Sequence, residues 1–101
     1  MWICFNDGFV SAVSAGGDML KVRARRKEHL ISIFPNLKDE IVETKHTDYK
    51  YRVFIKRDEF ADIVSDRIKK IYYDNFKSSV MDDELHDLYA DFWSLHYQYQ
   101  K

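Results

Sequence analysis

The eight residues Tyr49–Lys56 constrain this chain more than any other stretch. Tyr49, Tyr51, Val53 and Ile55 alternate with Lys50, Arg52, Phe54 and Lys56. A period of two marks an extended strand with one face buried, because successive side chains leave a strand on opposite sides. Such a strand cannot stand alone. Its main-chain groups need paired neighbours and its apolar face needs a cover. Met19–Ala24 repeats the pattern, with Leu20, Val22 and Ala24 set against Lys21, Arg23 and, just beyond, Arg25. Two β-prone segments precede it, Met1–Phe5 and Phe9–Ser14, joined by the tight-turn signal Asn6-Asp7-Gly8. Ala15-Gly16-Gly17-Asp18 reads as a second turn, and Glu40–Thr44 as a weak strand before the polar turn Lys45–Asp48.

Three segments carry helical spacing. Lys27–Phe34 places Leu30, Ile31 and Phe34 on one side and is stopped by Pro35-Asn36. Asp58 is expected to cap a helix reaching Tyr72, with Phe60, Ile63, Val64, Ile68 and Ile71 as its apolar stripe. Tyr73-Asp74-Asn75-Phe76 interrupts, and Asp74 can cap a short turn through Val80. Asp82 caps the last helix, to about Tyr99, with Asp83 and Glu84 in its first turn, where the helix dipole favours acids. The expected architecture is a single α+β domain over residues 1–101. It consists of an antiparallel sheet of about five strands, in the order βββαββαα, with helices packed on one face.

Composition narrows the function classes. The chain has 101 residues, 46% hydrophobic and 16% aromatic, with one Pro, three Gly and one Cys. That is enough apolar material for one core and excludes disordered, collagen-like and disulfide-scaffold classes. No apolar run approaches the roughly 20 residues of a membrane span, and no basic leader opens the chain, so no membrane partner is expected. The lone Cys4, inside the apolar run Met1–Phe5, points to a reducing, cytoplasmic setting and a thiol in the core.

Nothing in the chain spells out chemistry. Gly16-Gly17 lacks the spacing and the Lys-Ser/Thr of a phosphate loop. No serine sits in a nucleophile elbow, and the four histidines are scattered. His86 shares a helix face with Asp82 and Asp83, which is too few ligands for a metal. His29 and His46 read as exposed, and His96 as structural. The expectation is therefore a protein that is not an enzyme, with no cofactor, no metal and no catalytic residues.

Two features remain as candidates for binding. If Leu20, Val22, Ala24, Tyr51, Val53 and Ile55 face the helices, the other sheet face carries Lys21, Arg23, Arg25, Lys50, Arg52, Phe54 and Lys56. Six cations around an aromatic ring suit single-stranded nucleic acid, with charges for phosphates and a ring for a base. They equally suit an acidic protein surface, or the plain polar exterior of an antiparallel sheet. The second feature lies in the last helix. Leu85, Leu88, Phe92, Leu95 and Tyr99 make a core stripe, while Tyr89, Trp93 and Tyr97 form a separate row for the core or for a partner.

The net charge of −1 bears on the choice, because residues 1–77 hold 15 Lys and Arg against 12 Asp and Glu, whereas residues 78–101 hold one Lys against five acids. A basic body and an acidic end balance each other, whereas a dedicated nucleic-acid domain is usually strongly basic. The favoured reading is a small protein-binding module or regulator, with a protein partner or a homodimer. Single-stranded nucleic-acid binding through the basic sheet face is the alternative.

Tyr73-Asp74-Asn75-Phe76-Lys77, Glu84-Leu85-His86-Asp87-Leu88-Tyr89 and Phe92-Trp93 resemble a group of small hypothetical proteins of bacteria and their mobile elements. Val22-Arg23-Ala24-Arg25 and Asp48-Tyr49-Lys50-Tyr51-Arg52 fit the same pattern, so the resemblance spans nearly the whole chain. It implies a small regulator encoded by a phage or its host, including an inhibitor of a host or defence protein. It transfers no site residues.

Overall fold

The computed structural model describes residues 1–101. It is α+β, as the alternation requires. Five strands, β1 (Trp2–Phe5), β2 (Gly8–Ser14), β3 (Met19–Ala24), β4 (Val42–Glu43) and β5 (Tyr51–Lys56), form one antiparallel sheet in the order β1-β2-β3-β5-β4. The α-helices are α1 (Lys27–Ile33), α2 (Arg57–Lys69) and α3 (Asp83–Tyr97), with 3-10 turns at Pro35–Glu40 and Lys77–Ser79. The order of strands and helices along the chain is the expected one.

The register explains the core. Ala12, Val22 and Val53 stand side by side on three adjacent strands, and Ser14, Leu20 and Ile55 form the next row. On this face Val10, Ala12, Val22, Ala24, Val53 and Ile55 are buried against Leu30, Ile33, Phe34 and Phe60 from α1, the residue that follows it, and α2. The stripe expected for α2 is used only in part. Phe60 is buried and Ile63 and Val64 pack against the core, but Ile68 and Ile71 are exposed.

The expectation that the helices share one face holds for α1 and α2 and is corrected for α3. β2 is buried from Gly8 through Ala12, on both of its faces. Phe9 points opposite to Val10 and joins a second cluster with Tyr49, Val80, Leu85 and Tyr89. A strand apolar on both sides needs two covers, and α3 supplies the second.

Local chemistry sets the element ends. The Asp82 carboxylate accepts the Leu85 N–H at 2.9 Å and starts α3 as expected. The expected Asp58 cap is replaced by other contacts. α2 begins at Arg57 with no side-chain cap, and the Arg57 N–H donates instead to the Asp18 carbonyl at 2.7 Å. The Arg57 guanidinium adds bonds to the Gly17 carbonyl at 3.0 Å and the Ser14 hydroxyl at 3.1 Å, tying α2 to the β2–β3 turn. That turn runs through positive φ at Gly16 and Gly17, 94° and 56°, which side-chain-bearing residues rarely adopt. The turn after α2 is held by Asn75, rather than Asp74, whose side-chain oxygen accepts from the Ser78 N–H at 3.1 Å.

Candidate partner-binding surfaces

Most of the basic sheet face serves the fold. β5 starts at Tyr51, so Tyr49 lies ahead of the strand and is free of its alternation. Its ring turns to the outer face, away from Tyr51, and is buried there beside Phe9 and Leu85. The Arg23 and Arg25 guanidiniums lie 4.6 and 4.3 Å from the centre of that ring. Arg23 also donates to the Ser11 hydroxyl at 2.9 Å, and Arg25 to the Asp48 carbonyl at 2.6 Å. Arg52 donates to the Thr47 hydroxyl at 2.5 Å and to the Tyr49 carbonyl at 2.8 Å. Three arginines thus clamp one tyrosine and its loop. Each stacked cation is worth about 0.5–1 kcal/mol at such part-exposed sites.

The clamp has a cost. Arg23 and Arg52 are directly opposite on β3 and β5, and the Nε of each is buried without a hydrogen-bond partner. Lys50 lies ahead of β5 and sits 5.5 Å from the centre of the Tyr51 ring, apart from the outer-face row. What remains of the predicted surface is Lys21, Phe54 and Lys56. Phe54 is half exposed, pairs with Lys21 across the strands, and has no cation stacked on it.

The aromatic row divides as well. Tyr89 is buried at 3% exposure and donates its hydroxyl to the Phe5 carbonyl at 2.8 Å, so it belongs to the core and is withdrawn from the binding candidates. Burial, with the acidic Cys4 and Asp7 groups nearby, pushes its phenol well above the usual range. Trp93 and Tyr97 are exposed and stack on each other, ring centres 5.2 Å apart at 18°. Lys77 places its ammonium 5.2 Å from the Trp93 ring centre. The expected core stripe fails towards its C-terminal end. Leu85 is buried and Phe92 half-buried, but Leu88, Leu95 and Tyr99 are exposed. Every residue from Trp93 to Lys101 is exposed, so the last turns of α3 stand largely open to solvent at the rim of the molecule.

Sequence reasoning overlooked an open groove of about 750 Å³ between β1 and α3. Trp2, Cys4, Phe9, Phe76, Phe92 and Trp93 are among its walls. Trp2 is largely exposed and meets Phe9 edge-on at 5.9 Å. Cys4 is exposed on this wall, which corrects its expected place in the core; Ile3 and Phe5 take the buried side of β1. The partial burial it has raises the thiol above its ordinary value, which lowers its thiolate fraction. Alternation in Met1–Phe5 already separated Trp2 and Cys4 from Ile3 and Phe5. Which strand formed the edge was the missing information.

Two titratable groups tie this end of the sheet down. Arg67 of α2 forms a forked pair with Asp7 of the β1–β2 turn, at 2.7 and 2.9 Å. Burial pushes the Asp7 carboxyl up, but hydrogen bonds from Arg67 and Ser32 and the Arg67 charge outweigh it, so the group lies below its ordinary value. His29, expected to be exposed, is half-buried on α1 and accepts the Phe9 N–H on Nδ1 at 3.3 Å. Burial holds its imidazole below the usual range. Its Cβ would come within 2.8 Å of any Cβ placed on Gly8, so a glycine there allows α1 to approach β2. No three His, Cys, Asp or Glu side chains converge to hold a metal ion, and His86 faces only Asp87, at 3.8 Å.

No protein-family model, curated protein or solved structure matches the chain. No helix is long and apolar enough to cross a membrane.

Proposed function

We propose that this chain is a non-enzymatic protein-binding module, a small regulator or inhibitor, that takes its partner on the exposed C-terminal end of α3. One observation carries the reading. From Trp93 on, every residue of α3 is exposed, with Lys77 against one ring and an open groove beside Leu95, yet this end displays Trp93, Leu95, Tyr97 and Tyr99. A helix end that met only water would gain nothing from four large apolar side chains. Trp and Tyr recur at binding hot spots because they join a large apolar area to a polar handle. The stacked pair of Trp93 and Tyr97 is already held in one arrangement, which lowers the entropy lost on binding.

The test is affinity capture from cell extract with the tagged chain, run beside Trp93→Glu and the pair Lys21→Glu/Phe54→Ala. Recovery of the same protein by wild type and by the sheet-face pair, with loss in Trp93→Glu, supports the α3 surface. Undiminished capture by Trp93→Glu removes it.

A second reading is favoured by the exposure of Phe54 between Lys21 and Lys56. It is single-stranded nucleic-acid binding on this remnant of the basic face. With three groups in place of seven, binding to an oligonucleotide should weaken steeply with salt and be lost in Phe54→Ala. Failure to bind at low salt would eliminate it.

A further inference from the structure

His29 stands where a strand carbonyl would be. Met1 and Ala12 exchange both main-chain hydrogen bonds, each at 2.8 Å, so the even-numbered residues of β2 bond to β1. Its odd-numbered residues therefore turn their N–H and C=O groups to β3. Ala15, just past the strand, follows the same rule and donates to the Met19 carbonyl at 2.9 Å. Carried on from Ser11–Arg23, the β2–β3 register would set Arg25 opposite Phe9. But β3 ends at Ala24, and the chain turns there towards α1. The Phe9 N–H is left without its ladder acceptor, and Nδ1 of His29 takes it at 3.3 Å. An imidazole nitrogen accepts only while it is unprotonated; the imidazolium has donors alone.

The ring has little room to adjust. Gly8 lies so close that a Cβ built on it would meet the Cβ of His29 at 2.8 Å and its Cγ at 3.1 Å. Charged groups face this point from each element that meets there. Arg26, Lys27 and Glu28 belong to the head of its own helix, and Arg25 to the end of β3. Asp7 comes from the β1–β2 turn, Lys50 from the approach to β5, and Asp82 and Glu84 from the start of α3. Several are already engaged, Asp7 with Arg67, Arg25 with Asp48 and Arg26 with Glu84. Burial first, and then the Arg26 charge, disfavour the imidazolium and outweigh the pull of Glu28 and Asp82. An open cleft of about 550 Å³ between α1 and α3 reaches the ring from solvent.

We infer that His29 is a pH-sensitive latch between α1 and β2 that sets how firmly α3 is seated. Neutral, it holds the Phe9 main chain, and the Phe9 ring lies with Tyr49, Leu85 and Tyr89 in the bed of α3. Protonated, it meets the Phe9 N–H donor to donor. The ring then swings into the cleft, towards the carboxylates of Glu28 and Asp82, and the bed of α3 loosens. The sign follows from the lowered folded value. The contribution of His29 is complete above about pH 6.5 and is lost as the pH falls through the folded value. This goes beyond the proposed function, because it concerns how α3 is held and stands whether or not its exposed end takes a partner.

Nuclear magnetic resonance on the isotope-labelled full chain, from about pH 8 down to about pH 4.5, tests it. As His29 titrates, the hydrogen-exchange protection of the Phe9 amide should fall by about tenfold or more. The Leu85 and Tyr89 amides should shift with the same midpoint. Asp7, in the same cleft, takes up its proton only below this range and does not mask the change. His29→Asn places a carbonyl oxygen that does not titrate near the position of Nδ1, and should keep the Phe9 protection constant. The wild-type titration decides the matter even where that variant folds poorly. A Phe9 amide unmoved while the imidazole titrates overturns the latch, and so does an imidazole that stays neutral across the range. Movement at Phe9 with Leu85 and Tyr89 still, or an equal loss of protection in His29→Asn, overturns it as well.

Discussion

The two edges of the sheet are built on opposite plans. β4 is two residues long, Val42 and Glu43, both exposed, and it sits in a stretch dense with charge from Lys38 to Lys45. It pairs only with β5. β1 has four residues with no charged side chain, and its hairpin with β2 is anchored to every α-helix of the fold. Phe9 inserts under α3, Gly8 lets α1 approach through His29, and Asp7 is forked by Arg67 of α2. One edge is short, polar and loosely attached; the other is apolar and rigidly mounted. The difference is one of attachment: the β1 hairpin is tied to all three α-helices, and β4 is hydrogen-bonded to β5 alone.

That contrast can be broken most forcefully at Phe9. Phe9→Ala removes the ring that joins the outer face of β2 to α3, and should cost about 3–5 kcal/mol in urea unfolding, as large-to-small core changes do. Gly8→Ala comes next. It forces α1 away from β2, an overpacking expected to cost about 1–3 kcal/mol, read as a lowered midpoint with an unchanged slope.

Asp7→Asn should cost about 1–2 kcal/mol at pH 7, less than a fully buried pair because both side chains are about one-third exposed. The pH dependence has a defined sign. The folded Asp7 carboxyl lies below its ordinary value, so its contribution is complete above about pH 4 and is lost as the pH falls through the folded value. The gap between wild type and Asp7→Asn should therefore close in acid; a gap constant to pH 2 would remove the ion pair as its cause. The smallest effect belongs to the other edge. Glu43→Lys should change stability by less than about 0.5 kcal/mol. The urea midpoint reads it, and a larger loss would show that β4 is held more firmly than its single pairing implies.

The sheet was largely legible before the structure, and for a physical reason. β3 and β5 bury one face each, so Leu20, Val22, Val53 and Ile55 alternate visibly with charged neighbours. β2 buries both faces, which erases the alternation, and Phe9-Val10-Ser11-Ala12 gave no hint that a helix would lie on the second side. Tyr49 was misread because its parity matches Tyr51 only if the strand includes it. The chain bends before Tyr51, and the ring goes to the opposite face beneath two arginines. The basic face looked like a ligand surface since charge in a sequence carries no record of its partners. Arg23, Arg25 and Arg52 had acceptors waiting in a loop whose position only the fold supplies. α3 was legible at its capped start, where Asp82 and Leu85 are neighbours in the chain, and illegible at its exposed end.

The bond from Tyr89 to the Phe5 carbonyl joins residues 84 positions apart. It gives the molecule an order of assembly. As the chain emerges from its N-terminus, the β1–β2 hairpin exists long before α3 has been made, and Phe9 must wait uncovered on its outer face. Closing so long a loop is entropically costly and slow compared with forming a hairpin. The uncovered interval is when an apolar edge is most hazardous, and it ends only when the last fifth of the chain arrives.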